Sequence, residues 1–189
     1  NRGDCLSVNG LLRDLNVFYD VSFNVDIYGE EIPILPFEFL NLAEDSCKNI
    51  SFLKIDIDKL PKNYKEFLED YFVDLGVKKI NFFTDISNYL SYETGQPTHC
   101  YDSSKIIAPI TLCYSDEDLE FDSLLDKKIK IQEGDLVFKD KNNNVINIAG
   151  VVGDKSSSCK KDTKSVIVEC AHFNPETIIG KSIQYDVNS

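Results

Sequence analysis

The chain has 189 residues, of which 42% are hydrophobic and 28% are charged, and its formal net charge is −12. This length and composition are typical of one soluble globular domain with a substantial core, and they exclude an intrinsically disordered chain. The negative charge repels free nucleic acid at long range, which argues against a general RNA-binding module. No apolar run approaches the roughly 18 residues that a membrane helix needs, so no membrane association is expected.

Six cysteines stand at irregular spacings without a C-x-x-C pair. We expect reduced thiols in a cytoplasmic protein, mostly small core residues, and a disulfide framework is the alternative. Neither the cysteines nor the two histidines have the spacing of zinc ligands. The acidic run 115–120 lacks parts of a calcium-binding loop and is expected to be a solvated turn. No metal site is therefore predicted. The chain begins at Asn1 without a signal peptide. We expect a segment cut from a longer polypeptide, or else a processed protein.

Apolar spacing and turn residues predict the elements of the first half of the chain. Ser7 is a typical N-cap for a helix that extends to about Tyr19. Alternating apolar residues around a glycine indicate a hairpin over 21–35. Residues 50–58 indicate a further strand.

Two more helices are predicted before position 100. Pro61 is expected to begin the first of them and Gly76 to end it. Asp85 is expected to cap the next one, which extends to Thr94 with Gly95 behind it.

The second half of the chain is predicted to be mostly strands, with a helix starting at Asn174-Pro175. The predicted strands are 106–114, 128–132, 136–140, 145–152 and 165–170. Together the elements predict a mixed α+β fold, with mostly antiparallel sheets and about four flanking helices in a single domain over 1–189.

Three segments are more specific than the composition. The first is N-R-G-D-C-L-S at 1–7. The second comprises D-I-S-N-Y-L at 85–90 and E-T-G-Q-P-T-H-C-Y-D at 93–102. The third is I-A-G-V-V-G-D at 148–154, followed by V-E-C-A-H-F at 168–173. In this order and at these spacings, they resemble the tRNA-editing domain of the beta chain of bacterial-type phenylalanyl-tRNA synthetases, over nearly the whole chain.

The resemblance implies a pocket that hydrolyses the ester bond of tRNA(Phe) mischarged with tyrosine. It implies no cofactor in this domain, because ATP and magnesium serve phenylalanine charging elsewhere in the parent enzyme. That parent would be a cytoplasmic αβ hetero-oligomer whose other parts grip the tRNA. Only the aminoacylated 3′ end of the tRNA would then have to reach this acidic domain.

Carried over position by position, the resemblance implies five pocket residues. His99 would orient the ester or the attacking water, or transfer a proton, and the backbone at Gly150 would present N–H groups to the ester carbonyl or the ribose. Glu169 would accept a hydrogen bond from the phenol of tyrosine. Ser87 and Asn88 would bind the amino group of the substrate or a water molecule.

Each of these roles has a plainer alternative. Glu169 lies in an otherwise apolar strand, where a carboxylate needs a partner, unless that strand is an edge whose glutamate faces water. His99 is otherwise a structural histidine that bonds backbone carbonyls. Gly150 is otherwise part of a tight turn, and Ser87 and Asn88 are otherwise packed in the first turn of a helix.

The chain departs from the family motifs at several positions. Ser87 replaces a threonine and keeps the hydroxyl, whereas Thr98, Cys100 and Tyr101 replace Leu or Met, Ala and Phe. Asp154 replaces the last glycine of the A-G-V-x-G-G turn. These changes leave two other functions open, namely a non-catalytic structural module of the synthetase beta chain and a free-standing homologue that binds an aromatic amino acid.

A cysteine hydrolase with Cys100 beside His99 is not favoured. Adjacent residues of a strand point to opposite faces, so the thiol and the imidazole would not pair.

Overall fold

A three-stranded and a five-stranded sheet face each other at the centre of the protein. The computed structural model describes residues 2–20, 31, 33–34 and 37–187. The described strands, in chain order, are β1 (Phe39–Asn41), β2 (Cys47–Asp56), β3 (His99–Asp102), β4 (Ile110–Tyr114), β5 (Leu119–Asp122), β6 (Lys128–Ile131), β7 (Leu136–Lys139), β8 (Val145–Ile148), β9 (Val152–Gly153) and β10 (Ser165–Phe173). The described helices are α1 (Val8–Leu15), α2 (Glu66–Asp74), α3 (Phe82–Thr94), α4 (Pro175–Ile178) and α5 (Lys181–Gln184).

The strands form the mostly antiparallel α+β arrangement that the sequence predicts. The smaller sheet has the order β2-β10-β3, and the larger has the order β1-β4-β7-β8-β9, in which only the pair β1 and β4 is parallel. The strands β5 and β6 form a separate antiparallel hairpin. No helix in the described part of the chain is both long enough and apolar enough to span a membrane.

The β10 strand is buried on both faces because other elements pack on both sides of the smaller sheet, in which it is the middle strand. One face of this sheet packs against the larger sheet, and the other face packs against α3, through Val166 and Phe83. The core between the sheets contains Tyr101, Ile110, Leu112, Leu136, Phe138, Ile146 and Ile167. Alternation along β3 therefore decides which side chains enter the space between the sheets and which face the helices.

The first predicted helix forms, but it is shorter than expected. The Ser7 hydroxyl oxygen accepts a hydrogen bond from the Gly10 N–H at 3.0 Å, as expected of an N-cap. Helix α1 ends at Leu15 rather than near Tyr19. The predicted hairpin over 21–35 lies outside the described residues, apart from single positions near its end.

The N-cap predicted for the third helix is wrong. The side chain of Asn81, not Asp85, accepts the hydrogen bond from the Thr84 N–H, at 3.0 Å. The Asp85 carboxylate lies buried inside the first turn, where it accepts hydrogen bonds from the Ile80 N–H at 2.8 Å and the Tyr64 hydroxyl at 2.6 Å. Asp85 thus joins the helix start to the preceding loop instead of beginning the helix.

The sequence predicts that helix α2 begins at Pro61. The helix begins five residues later, at Glu66. Leu68 and Phe72 are its buried residues, and Gly76 follows it in the left-handed conformation, with φ of 64°.

The predicted strand 50–58 forms as part of β2, and all five strand regions predicted in the second half of the chain contain a strand, with two notable differences. The predicted strand 145–152 is divided into β8 and β9 by a turn at Gly150, whose φ is 69°. The run 115–120, expected to be a solvated turn, contributes to β5, because Leu119 and Phe121 alternate inward against β6.

The N-terminal motif folds as a network of ion pairs. Arg2 and Arg13, the two arginines of the chain, both pair with Asp4 and Asp14. Asp4, Cys5 and Asp14 are the one group of metal-ligating type in the described residues, and the two guanidinium groups already neutralise its carboxylates. The four charged side chains are 40% to 60% exposed, so solvent screens their attraction and each pair contributes little to stability.

The Asn81 cap yields a testable difference in stability. Asn81→Ala should lower the free energy of unfolding of this chain by about 1–2 kcal/mol, since it removes the cap and the amide that bonds the Cys159 carbonyl at 3.1 Å. Asn174→Ala removes the exposed cap of the one-turn helix α4 and should cost less than about 0.5 kcal/mol. Urea unfolding of both variants checks this, and equal costs would contradict the role assigned to Asn81.

Candidate functional site

The loop between α3 and β3 places His99 at the start of its strand. Gly95 ends α3 in the left-handed conformation, with φ of 77°. The Gln96 side-chain amide then donates to the Pro97 carbonyl at 2.9 Å and to the Ala171 carbonyl on β10 at 3.2 Å. The glycine and glutamine of the G-Q-P-x-H motif therefore fix where the chain enters β3.

Ser87 acts on the same loop. Its buried hydroxyl lies 2.8 Å from both the carbonyl oxygen and the hydroxyl of Thr98, the residue before His99. Asn88 is half-buried, and its side chain makes no hydrogen bond with the described part of the chain. The observed contacts of Ser87 are structural, and the substrate-binding roles of Ser87 and Asn88 stay predictions.

His99 faces the space between the two sheets. It is the antiparallel partner of Glu169, so the two side chains share one face, and its ring lies edge-on to the Tyr101 ring at 4.4 Å between centroids. Its Nε2 is buried without a hydrogen-bond partner among the described residues. Burial lowers the His99 pKa to about 4, so the imidazole is neutral at pH 7.

The imidazole ring of His99 packs against the backbone of Gly153. A Cβ at this position would lie 2.3 Å from Cε1 and 2.5 Å from Nε2 of His99. Because both distances are far below van der Waals contact, the imidazole can occupy its place only beside a glycine.

The turn that follows β9 holds Gly153, the last residue of that strand, close to β3. The Asp154 carboxylate accepts hydrogen bonds from the N–H groups of Ser156 at 2.8 Å and Ser157 at 3.0 Å, which closes a tight turn. The Ser157 carbonyl then accepts the Asp102 N–H at 2.9 Å. The aspartate that departs from the family motif is therefore compatible with a defined turn that holds the two sheets together.

Glu169 is enclosed between the sheets, and only 4% of it is exposed. Its Oε2 accepts a hydrogen bond from the Tyr101 hydroxyl at 2.5 Å and a weaker one from the Asn147 amide at 3.5 Å. Burial raises the Glu169 pKa to about 7, although the two donors act in the opposite direction. An edge-strand glutamate facing water, the plainer alternative, does not describe this residue.

Gly150 lies apart from these groups. It is exposed in the turn between β8 and β9, and the atoms nearest to the position of a Cβ belong to Phe173 and Ile178. The structure therefore brings His99 and Glu169 together without placing Gly150 against either of them. The catalytic role of its backbone stays a prediction.

Two surface clefts lie away from His99 and Glu169. One, of about 430 Å³, is lined by residues 41–46 and Tyr114. The other, of about 390 Å³, lies between residues 60–64 and the start of α3. Neither is lined by any of the five predicted site residues.

Sequence reasoning missed two members of the buried polar group. Tyr101 was noted only as a departure from the family motif, and Asn147 was not singled out at all. Asn147 nevertheless carries the signal that identified Glu169, a polar side chain within an apolar strand, V-I-N-I at 145–148.

With this geometry in place, comparison with known proteins identifies the class. The sequence profile of the B3/4 domain family matches residues 51–189, which is more than half of the chain, so the chain belongs to that family. The fold is shared with an N-terminal fragment of the phenylalanyl-tRNA synthetase beta-subunit from Pyrococcus horikoshii, with a TM-score of 0.56 and 13% identity over 94% of this chain and 54% of that one.

The similar curated proteins are phenylalanine–tRNA ligase beta subunits. The one from Ehrlichia ruminantium (strain Gardel) is 32% identical over 188 residues, which cover 94% of this chain and 23% of the relative. The one from Rickettsia bellii is 32% identical over 226 residues, which cover 100% of this chain and 25% of the relative. The resemblance predicted from the motifs is confirmed, and the chain spans about a quarter of the length of these relatives.

The contact between Gly153 and His99 predicts that the effects of substitutions at these two positions on stability are not additive. Gly153→Ala should cost about 1–3 kcal/mol of unfolding free energy, because the new methyl group displaces the imidazole. In a His99→Ala background the same substitution should cost at least about 1 kcal/mol less. Gly3→Ala, where a Cβ meets nothing within 4 Å, is the control and should be neutral. An equal cost of Gly153→Ala in both backgrounds would show that the contact is not limiting.

The ionisation of Glu169 predicts a pH dependence of stability. Its folded pKa of about 7 lies above the ordinary value of 4.5, so the folded state holds a proton that the unfolded state releases. The contribution of Glu169 to stability should therefore fall as pH rises from 4.5 to 7, by up to about 3 kcal/mol, and level off above that range, while the lowered pKa of His99 acts in the opposite direction.

The Glu169→Gln variant isolates this contribution, since it lacks the titrating group while His99 titrates alike in both proteins. Urea unfolding of both proteins from pH 4.5 to 8.5 gives the difference. A wild-type-minus-variant difference that stays constant across this range would contradict the raised pKa.

Proposed function

We propose that this chain is the editing module of a phenylalanine–tRNA ligase beta chain and that it hydrolyses the ester bond of tyrosyl-tRNA(Phe). The observation that carries the proposal is the pairing of His99 with Glu169 across β3 and β10. On one face it combines a buried carboxylate with an imidazole nitrogen that has no hydrogen-bond partner in the described part of the chain. The family and the names of the relatives support the proposal.

A buried carboxylate suits the discrimination that such a site requires. An apolar site built for phenylalanine rejects an added hydroxyl only by about two orders of magnitude. A second site that accepts a hydrogen bond from the phenol favours tyrosine, because phenylalanine would leave one oxygen of the buried carboxylate unpaired. Glu169 is the described residue with this chemistry between the two sheets.

The low pKa of His99 favours positioning over proton transfer. An imidazole with a pKa near 4 is a weak general base at pH 7, but it remains a neutral hydrogen-bonding group. Its unpartnered Nε2 would hold the attacking water or the ester, and the substrate would supply the missing partner.

The parent enzyme would supply the remaining functions. In this proposal the chain acts within a cytoplasmic αβ synthetase that charges phenylalanine with ATP and magnesium outside this domain. Only the 3′ end of tRNA(Phe) would reach the site, since a net charge of −12 disfavours a longer contact with the phosphate backbone.

The enclosure of Glu169 favours a second candidate, a structural module without hydrolytic activity. A carboxylate that is 4% exposed and bonded to Tyr101 also satisfies the requirements of a folded core. The two candidates differ in what happens to a mischarged tRNA.

Deacylation of preformed tyrosyl-tRNA(Phe) by the intact synthetase separates them. His99→Ala and Glu169→Ala should each lower the rate at least about tenfold, because one loses the group that positions the water and the other the phenol acceptor. Charging of phenylalanine should stay intact in both variants, since it occurs elsewhere in the enzyme.

Matched controls are available at exposed positions of two other strand segments. His172→Ala removes an exposed histidine of β10, and Glu120→Ala removes an exposed glutamate of β5. Both should leave deacylation unchanged. Equal, slow deacylation by the wild type and all four variants would favour the structural candidate.

A further inference from the structure

A chain of hydrogen bonds connects the two sheets at Glu169. The Asn147 amide on β8 donates to the Tyr101 hydroxyl oxygen at 2.9 Å, and the Tyr101 hydroxyl donates to Glu169 Oε2 at 2.5 Å. All three residues are buried, with 3%, 0% and 4% of their surfaces exposed in that order. Nothing in the proposed hydrolysis uses Tyr101 or Asn147.

We propose that Tyr101, supported by Asn147, is a positioning residue that holds Oε2 of Glu169 and leaves Oε1 to accept the phenol of the substrate. The inference rests on the proposed function and deepens it, because it assigns the residue that sets how Glu169 recognises tyrosine.

The distribution of hydrogen bonds on the carboxylate supports this assignment. A carboxylate has about four acceptor positions, two on each oxygen. Both hydrogen bonds to Glu169 end on Oε2, and Oε1 accepts none from the described residues. An incoming phenol would therefore find one oxygen unoccupied and the other fixed.

The direction of the hydrogen bonds is also determined. Because the Asn147 amide donates to the Tyr101 oxygen, the single hydroxyl proton of Tyr101 is directed at Glu169. A hydrogen bond of this kind favours the ionised carboxylate, which is the stronger hydrogen-bond acceptor and carries no proton of its own on Oε1. Tyr101 would thus keep Glu169 in the state that binds a phenol.

The surrounding groups leave Glu169 as the titrating member of this cluster near neutral pH. From β3, burial lowers the pKa of His99 to about 4, and it raises the pKa of Tyr101 and, to about 11, that of Cys100. Burial likewise raises the pKa of Cys47 on β2 and of Cys170 on β10, and β8 contributes the non-titrating Asn147. Between pH 6 and 8.5 the charge of the cluster is therefore set by Glu169, whose pKa is about 7.

Binding of p-cresol, the side chain of tyrosine without its backbone, tests the inference independently of hydrolysis. The affinity of this chain for p-cresol should rise as pH increases through about 7. In Tyr101→Phe the midpoint should move up by about one pH unit, since a hydrogen bond to the charged form is lost. Binding at pH 7 should then be about fivefold weaker and should nearly recover by pH 8.5.

Two variants serve as controls for this titration. Tyr114→Phe removes a hydroxyl that bonds Ser46, away from Glu169, and should match the wild type. The double variant Tyr101→Phe with Glu169→Gln should lose the pH dependence. Thermal unfolding of each variant establishes that it is folded.

The remaining outcomes contradict the inference. Absence of p-cresol binding, a midpoint unmoved by Tyr101→Phe, or weakening that higher pH does not restore would each overturn it. Tighter binding by Tyr101→Phe at every pH would mean that Tyr101 competes with the ligand. If p-cresol behaves as expected while the intact synthetase fails to deacylate tyrosyl-tRNA(Phe), the proposed function fails and the recognition of a phenol stands.

Discussion

A carboxylate enclosed between two sheets is the constraint on which the rest of the site depends. Transfer of an ionised glutamate into the protein interior costs several kcal/mol unless hydrogen bonds replace its hydration. The fold supplies one strong donor from β3 and a weaker one from β8, and the Glu169 pKa still rises to about 7. The protein therefore retains a buried ionisable group at a position where a hydrophobic residue of similar size would avoid the desolvation cost. A strongly shifted pKa of this kind is typical of functional rather than structural positions.

The position of His99 depends on backbone geometry more than on side-chain bonds. Gln96 anchors the loop before it, Ser87 holds Thr98, and Gly153 leaves room for the ring. The result is an imidazole that is held in place by sterics, while its buried Nε2 has no hydrogen-bond partner among the described residues. A fixed ring with one unsatisfied nitrogen is the arrangement that a positioning role requires.

The sequence predicted the class of fold and, for a different reason, two residues that the structure brings together. The strands over 106–170 were predictable because glycine and asparagine residues, such as Gly134 and the run 142–144, mark the turns between them. The cap of α3 was missed because Asn81 and Asp85 are both good capping residues, and their hydrogen bonds to Thr84 and Ile80 depend on the path of the preceding loop. Boundaries of this kind depend on tertiary contacts that the local pattern does not contain.

The motifs were sufficient to select His99 and Glu169 together, but they were not sufficient to predict the contribution of Tyr101. A tyrosine beside a histidine in a strand is compatible with many environments. Its role emerges only when β10 is placed between β2 and β3 and β8 is placed opposite. Asn147 is the counterexample, since a polar residue within V-I-N-I could have been recognised by the same reasoning that selected Glu169.

The distribution of cations is consistent with the proposed function in spite of the acidic composition of the chain. Arginine is the residue best suited to bidentate phosphate binding, and both arginines of this chain are already paired with Asp4 and Asp14. Several lysines are likewise paired with carboxylates, including Lys79 with Glu69 and Lys181 with Asp135. Under the proposed function, such a surface suits a substrate that is held through its aminoacyl ester rather than through its phosphates.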